Sequence, residues 1–154
     1  MKRSAIAVCG AILAMAGAMA SSVEAQQSYN CTVNDTTLCL GEGGRFEVEV
    51  NYAAGGGLAG GGHAVPLFHA DKSPILGGGY FWFFDADTPE LFVKVIDACV
   101  APFNAYWVFT AGLTNVAYTL LVTDLKTGKG RVYENALGQT SLPVYDTVGF
   151  DSCP

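Results

Sequence analysis

The sequence predicts an all-β domain, an antiparallel two-sheet β-sandwich of about eight short strands, on three observations. Runs rich in Val, Tyr, Phe and Trp follow one another between Gly79 and Asp124, separated by turns of Gly, Pro, Asn and Asp. One segment outside that stretch, Arg45 to Tyr52, alternates strictly between apolar and polar residues, the period of a strand with one buried face. No stretch keeps a helical period over three turns.

Taken in order, residues 26–44 are polar around two cysteines and read as an extended arm. Asn30-Cys31-Thr32 and Asn34-Asp35-Thr36 fit the N-x-[ST] acceptor pattern. The chain is bacterial in style, so both are expected to stay unmodified. In the alternating strand, Phe46, Val48, Val50 and Tyr52 fall on one face, and Arg45, Glu47, Glu49 and Asn51 fall on the solvent face. Ala53 to Gly62 carries two triple-glycine runs and is expected as a mobile surface loop. Within it, Gly55 to Gly60 matches G-x-G-x-x-G. That fingerprint needs a helix to open next, with its N-terminal amides on a pyrophosphate, whereas His63-Ala64-Val65-Pro66 follows here, which argues against nucleotide binding. Ala64 to Ala70 is expected as a short edge strand, because Pro66 cannot donate to a ladder. Asp71 to Pro74 and Gly77 to Gly79 read as turns.

The densest element is Tyr80-Phe81-Trp82-Phe83-Phe84. Strand side chains alternate, so Tyr80, Trp82 and Phe84 point one way and Phe81 and Phe83 the other; a central strand covered on both faces is expected. Asp85 to Pro89 is a turn, Glu90 to Asp97 a strand and Cys99 to Asn104 a loop. Ala105 to Thr110, with Trp107, is a second two-faced strand. A turn at Ala111 to Asn115 leads to the strand Val116 to Asp124. The hairpin loop Leu125 to Gly130 joins that strand to Arg131–Asn135, and Val144 to Phe150 closes the fold.

Lys2 and Arg3 precede an apolar, small-residue run from Ala5 to Ala20, and Val23-Glu24-Ala25 fits the small-residue cleavage rule. A secretory signal peptide over residues 1–25, cut after Ala25, is expected, since the run falls short of the ~20 apolar residues of a membrane span. Residues 26–154 then form one secreted, extracellular domain with no membrane span. They carry six basic and thirteen acidic residues, a net charge of −7. Such a surface repels phosphate backbones and anionic lipids, which disfavours nucleic-acid and membrane-surface binding. Cys9 falls in the apolar run, leaving Cys31, Cys39, Cys99 and Cys153, an even set that in an oxidising compartment suggests two disulfides. Three pairings are open; the expected one clips Cys31 to Cys39 locally and staples the C-terminus through Cys99 and Cys153. A four-thiolate zinc site is disfavoured by the lack of any C-x-x-C pair.

Leu113 to Val122 sets Tyr118 at the start of a strand just after a leucine-bearing turn. This resembles the tyrosine corner of immunoglobulin-like and fibronectin-type sandwiches, where the phenol bonds back to the corner backbone. It implies a structural Tyr118 in an immunoglobulin-like or jelly-roll-like sandwich. Over Tyr80–Asp85, Glu90–Cys99, Trp107–Thr119, Cys39 with Arg45-Phe46-x-Val48, and Phe150-x-x-Cys153-Pro154, the chain resembles a domain of unknown function that recurs in exported bacterial proteins. That resemblance spans nearly the whole of residues 26–154. It implies a compact secreted module and carries no catalytic residue across. The glycine insert Ala53–Gly62 and the histidines beside it look peculiar to this chain.

Few residues present themselves for chemistry. His63, His69 and Asp71 share odd positions, so an unbroken strand would put all three on one face, as a metal-dependent hydrolase could require; Pro66 and the flanking glycines argue against that strand. Asp85, Asp87 and Glu90 lie in one turn and could bind calcium through oxygen ligands, although aspartates in turns routinely bond local amides instead. Ser28, Ser73, Ser141 and Ser152 sit in no G-x-S-x-G elbow. The expectation is therefore a non-enzymatic exported module with no cofactor, acting by interaction or extracellular assembly with an extracellular protein or glycan. The alternative is a carbohydrate-binding module using an exposed aromatic face around Trp82 or Trp107.

Overall fold

A computed structural model describes residues 28–154; the expected signal peptide, its cut after Ala25 and Cys9 lie outside them. The described chain is all-β, with ten strands in two antiparallel five-stranded sheets. They are β1 (Thr37–Leu40), β2 (Phe46–Ala53), β3 (Ala59–Gly61), β4 (His63–Phe68), β5 (Pro74–Trp82), β6 (Leu91–Ala98), β7 (Ala105–Gly112), β8 (Ala117–Asp124), β9 (Lys129–Asn135) and β10 (Val144–Phe150). The first sheet runs β1-β2-β8-β9, with β3 also paired to β2; the second runs β10-β7-β6-β5-β4.

Burial follows the strand period. Phe46, Val48 and Val50 of β2 meet Leu120 and Val122 of β8 on the inner face of the first sheet. Phe81, Leu91, Val93, Val95, Tyr106 and Val108 face them from the second sheet. Phe46 sits at the centre, its ring 5.0 Å from that of Tyr106 and 5.3 Å from that of Phe150. At roughly 1.5–3 kcal/mol for each fully buried large apolar side chain, this layer is the main stabilising element.

Both strands beyond the expected eight come from segments that read as loop. β1 lies in the polar arm, yet its Leu38 and Leu40 are buried against the core. β3 comes from the glycine insert, which is an ordered turn and strand rather than a mobile loop: Gly55–Gly57 make a 3-10 turn and β3 pairs back onto the end of β2. The chain then crosses from the first sheet to the second at Gly62, whose N–H donates to the Val50 carbonyl at 2.8 Å. A Cβ at Gly62 would lie 2.5 Å from Val50 Cγ1, so only glycine fits between the layers. Gly77 to Gly79, expected as a turn, lie inside β5. There a Cβ on Gly79 would come within 2.6 Å of Leu38 Cδ1, and close packing rather than chain reversal explains the residue.

Arg45 corrects the alternation argument. It falls one residue before β2 with helical dihedrals (φ −63°, ψ −34°), which turn its side chain off the pleat and into the interior. There Nε and Nη2 each donate to a different oxygen of Asp124 at 2.9 Å, Nη1 donates to the Tyr106 hydroxyl at 2.9 Å, and Nη2 also reaches Ser152. Both members of the ion pair are buried.

Both expected disulfides form, Cys31–Cys39 and Cys99–Cys153. Tyr118 is buried as the corner motif requires, but its hydroxyl pairs with Ser141 Oγ at 2.7 Å rather than with the corner backbone. Ser141 is itself tied there, its N–H donating to the Thr114 carbonyl.

The two sides of the sandwich close differently. On one, the main chain runs β3–Gly62–β4, and Gly41 N–H donates to the Leu76 carbonyl at 2.7 Å. On the other, residues 136–143 carry the chain from β9 to β10, and the two strands meet through side chains. Tyr133 donates to Asp146 at 2.8 Å, Arg131 to the carbonyls of Gly149 and Val148, and Lys129 pairs with Asp151. Among the described residues no helix is long and apolar enough to cross a membrane.

Candidate functional site

The outer faces of the two sheets differ in chemistry. On the first, the outward residues of β2, β8 and β9 include Glu47, Glu49, Asn51, Thr119, Thr123 and Glu134, with Leu121 and Val132 as an exposed apolar pair among them. On the second, the outward residues are largely aromatic. β5 contributes Tyr80 and Trp82, β6 Phe92, β7 Trp107 and Phe109, and β10 Tyr145. Neighbouring strands bring Tyr80 and Phe92 to a centroid distance of 5.4 Å and Phe109 and Tyr145 to 5.6 Å, and along β7 Trp107 and Phe109 lie 6.0 Å apart. Tyr145 remains 73% exposed and Phe92 36%.

This placement revises the reading of the aromatic run. β5 is next to the edge of its sheet, and only one of its faces is packed against the opposing layer. Phe81 and Phe83 are in the core, while Tyr80 and Trp82 are half-buried and Phe84 exposed. Ring contacts along the outer face, rather than a third layer, account for their partial cover. Trp82 stacks on His63 at 3.7 Å and 10°, so that ring occupies one of its faces. Trp107 is half-buried, with Phe103 edge-on at 5.0 Å.

A groove of ≈ 690 Å³ indents this face. Its floor is the backbone of Gly77 to Gly79, and Leu67 and Ile75 line it with Phe92, Phe109 and Tyr145. Gly78 pairs with Lys94 of β6, and a Cβ built on it would point toward Lys94 Cβ at 3.5 Å and Leu67 Cδ1 at 4.0 Å, which sets it on the outer face. Its missing side chain leaves the floor open. Lys94 is the charged residue among those lining the groove, and its ammonium lies 5.1 Å from the Phe109 ring centroid. An apolar body can pack here, and one anionic group can be met; nothing in the lining resembles a nucleophile with its base.

The other candidates separate. His63 and His69 stand at or beyond opposite ends of β4, whose pairing with β5 shifts register between Pro66 and Leu67, so the shared face is lost. His63 Nδ1 lies 2.8 Å from Asp35, and Asp71 accepts from Ser73 N–H and Oγ. Asp85 accepts from the Asp87 N–H at 2.9 Å, the local turn bond, while Glu90 is buried. Among the described residues no three His, Cys, Asp or Glu side chains come together to hold a metal ion. Ser73, Ser141 and Ser152 are engaged by Asp71, Tyr118 and the Arg45–Asp124 pair.

Two titrations are strongly displaced, and both are structural. Burial is the largest influence on Asp124 and pushes its pKa up, but bonds from Arg45, Ser152 and the Lys126 amide outweigh it and hold the carboxyl down at about 2. Burial, then the bond to Asp146, pushes the Tyr133 phenol well above its usual range.

Phe92, Lys94, Phe109 and Tyr145 were not singled out from the sequence. The available signal was the period of Leu91–Ala98, which puts Phe92, Lys94 and Ile96 on the face opposite the core. Comparison with protein-family models, curated proteins and solved structures finds no match.

Proposed function

We propose that the chain is a non-enzymatic exported module that works by interaction, and that its working surface is the outer face of the second sheet. One observation carries the reading: the outer face of the first sheet is mainly polar, with Leu121 and Val132 its exposed apolar pair, whereas that of the second is aromatic and grooved over a wide area, a chemistry that water does not favour. The two disulfides suit an oxidising compartment and so support the exported location. The test places a photo-crosslinking amino acid at Tyr145 and, as a control, at Glu134 of the first sheet in the full-length chain expressed in its own cells. Discrete adducts from position 145 alone are expected. Equal labelling from both positions, or none from 145, would reject the reading.

A second reading, carbohydrate binding, is favoured by the strip Phe103–Trp107–Phe109, whose rings adjoin on this face. Glycan binding that is lost in Trp107→Ala, with melting behaviour retained, would select it; no glycan binding at millimolar oligosaccharide would remove it.

A further inference from the structure

We infer that the groove over Gly77–Gly79 binds a long-chain carboxylate, an unbranched apolar tail with one anionic head, and that Lys94 meets the carboxylate. This rests on the reading of the second sheet's outer face as the working surface and names a ligand class for it. Three features of the groove lead there.

The first is size. At ≈ 690 Å³ the groove lies within the ~300–1,000 Å³ typical of small-molecule sites. The second is lining. Leu67, Ile75, Phe92, Ile96, Phe109 and Ala111 offer carbon, and the glycine floor lets a chain approach the sheet backbone, which a side chain at Gly78 would prevent. Hydroxyl-rich ligands would find few partners for their polar groups, and each group desolvated without a bond weakens binding. An aliphatic tail has none to satisfy.

The third is charge. In a chain of formal net charge −6, the groove is lined by one charged residue, and it is a cation. Lys94 is exposed and its ammonium lies over the Phe109 ring, 5.1 Å from the centroid, and a lysine can bury its stem on apolar surface while its head stays in water to meet an anion. A neutral apolar ligand would make no use of it, and a cationic one would be repelled.

Titration calorimetry of the folded chain with dodecanoate, dodecan-1-ol and dodecylammonium, each below its aggregation concentration, tests this. Dodecanoate should bind one to one and at least tenfold more tightly than dodecylammonium. Lys94→Gln should weaken dodecanoate at least fivefold and leave dodecan-1-ol unchanged. Gly78→Val and Ala111→Leu, which fill the floor from the outer face, should weaken the carboxylate and the alcohol together. Retained melting behaviour of Lys94→Gln, an exposed position, shows that the loss is local. Equal affinity for dodecanoate and dodecylammonium, an unchanged Lys94→Gln, or no binding of any of the three would overturn the inference. If no amphiphile binds while Tyr145 still gives adducts, this inference fails and the interaction reading stands; if both are negative, both fail.

Discussion

Arg45 and Asp124 meet through two parallel bonds of 2.9 Å inside the sandwich, one at the entry to β2 and the other at the end of β8. With Tyr106 and Ser152 as further partners, the pair joins both sheets and the C-terminal segment. Removing one member strands the other charge, so Arg45→Met or Asp124→Leu alone should destabilise by about 3–5 kcal/mol. The double substitution should cost clearly less than either single one, because it leaves no orphaned charge. Urea midpoints of the four proteins decide it; additive losses would contradict the stranded-charge account.

The same carboxylate sets an acid limit. Its folded pKa of about 2 lies below the ordinary 3.8, so the unfolded chain takes up a proton first as the pH falls. The contribution is complete above about pH 5 and is lost as the pH drops toward 2, amounting to roughly 2 kcal/mol at about 1.4 kcal/mol per pKa unit. Denaturation monitored between pH 6 and pH 2 should show this fall in the native chain and a shallower one in the Arg45→Met/Asp124→Leu double variant.

The two disulfides should differ in worth. Cys99–Cys153 closes a separation of 54 residues and Cys31–Cys39 one of 8. Loop-closure entropy alone gives about 4 kcal/mol for the first and about 2.5 kcal/mol for the second. Paired Cys→Ser variants, compared by thermal melting, should therefore rank in that order.

Glycine at two neighbouring sites does different work. Gly62→Ala should cost about 1–3 kcal/mol through overpacking against Val50 and Phe83. Gly55→Ala, with nothing within 4 Å of the added carbon, should be neutral or stabilise by up to about 1 kcal/mol. A loss of similar size at both would mean that the crossing at Gly62 is not tightly packed.

Thr110 is buried, and among the described residues its Oγ1 has no hydrogen-bond partner. Thr110→Val keeps the shape and removes the unsatisfied hydroxyl, so a gain of about 1 kcal/mol is expected from chemical denaturation.

The fold was legible where one period spoke without interference. Phe46, Val48 and Val50 are buried as their alternation requires, and of the three pairings open to the four cysteines the expected one forms. Legibility failed at Arg45, since a single residue with helical dihedrals reverses which side it faces, and a pattern of residue types does not encode that. It failed at Gly79 because a glycine placed for contact with Leu38 looks, in sequence, like one placed for a turn. For the site, both tryptophans were considered, but the groove residues were not. Lys94 gains its setting from Gly78 across one ladder and Phe109 across the other, two partners that come together only once the register is known.

The unequal closure of the sandwich gives it a spine and a clasp. At Gly62 the layers are joined through a single residue of main chain, while β9 and β10, linked by the longer segment 136–143, are held side by side by long side chains, among them the exposed Lys129–Asp151 pair. Ionic strength screens the exposed Lys129–Asp151 pair and so loosens the clasp. Breathing of the layers should therefore begin at β9, and the barrel-like gap that opens would widen away from Gly62, leaving the spine as the hinge of whatever motion the protein has.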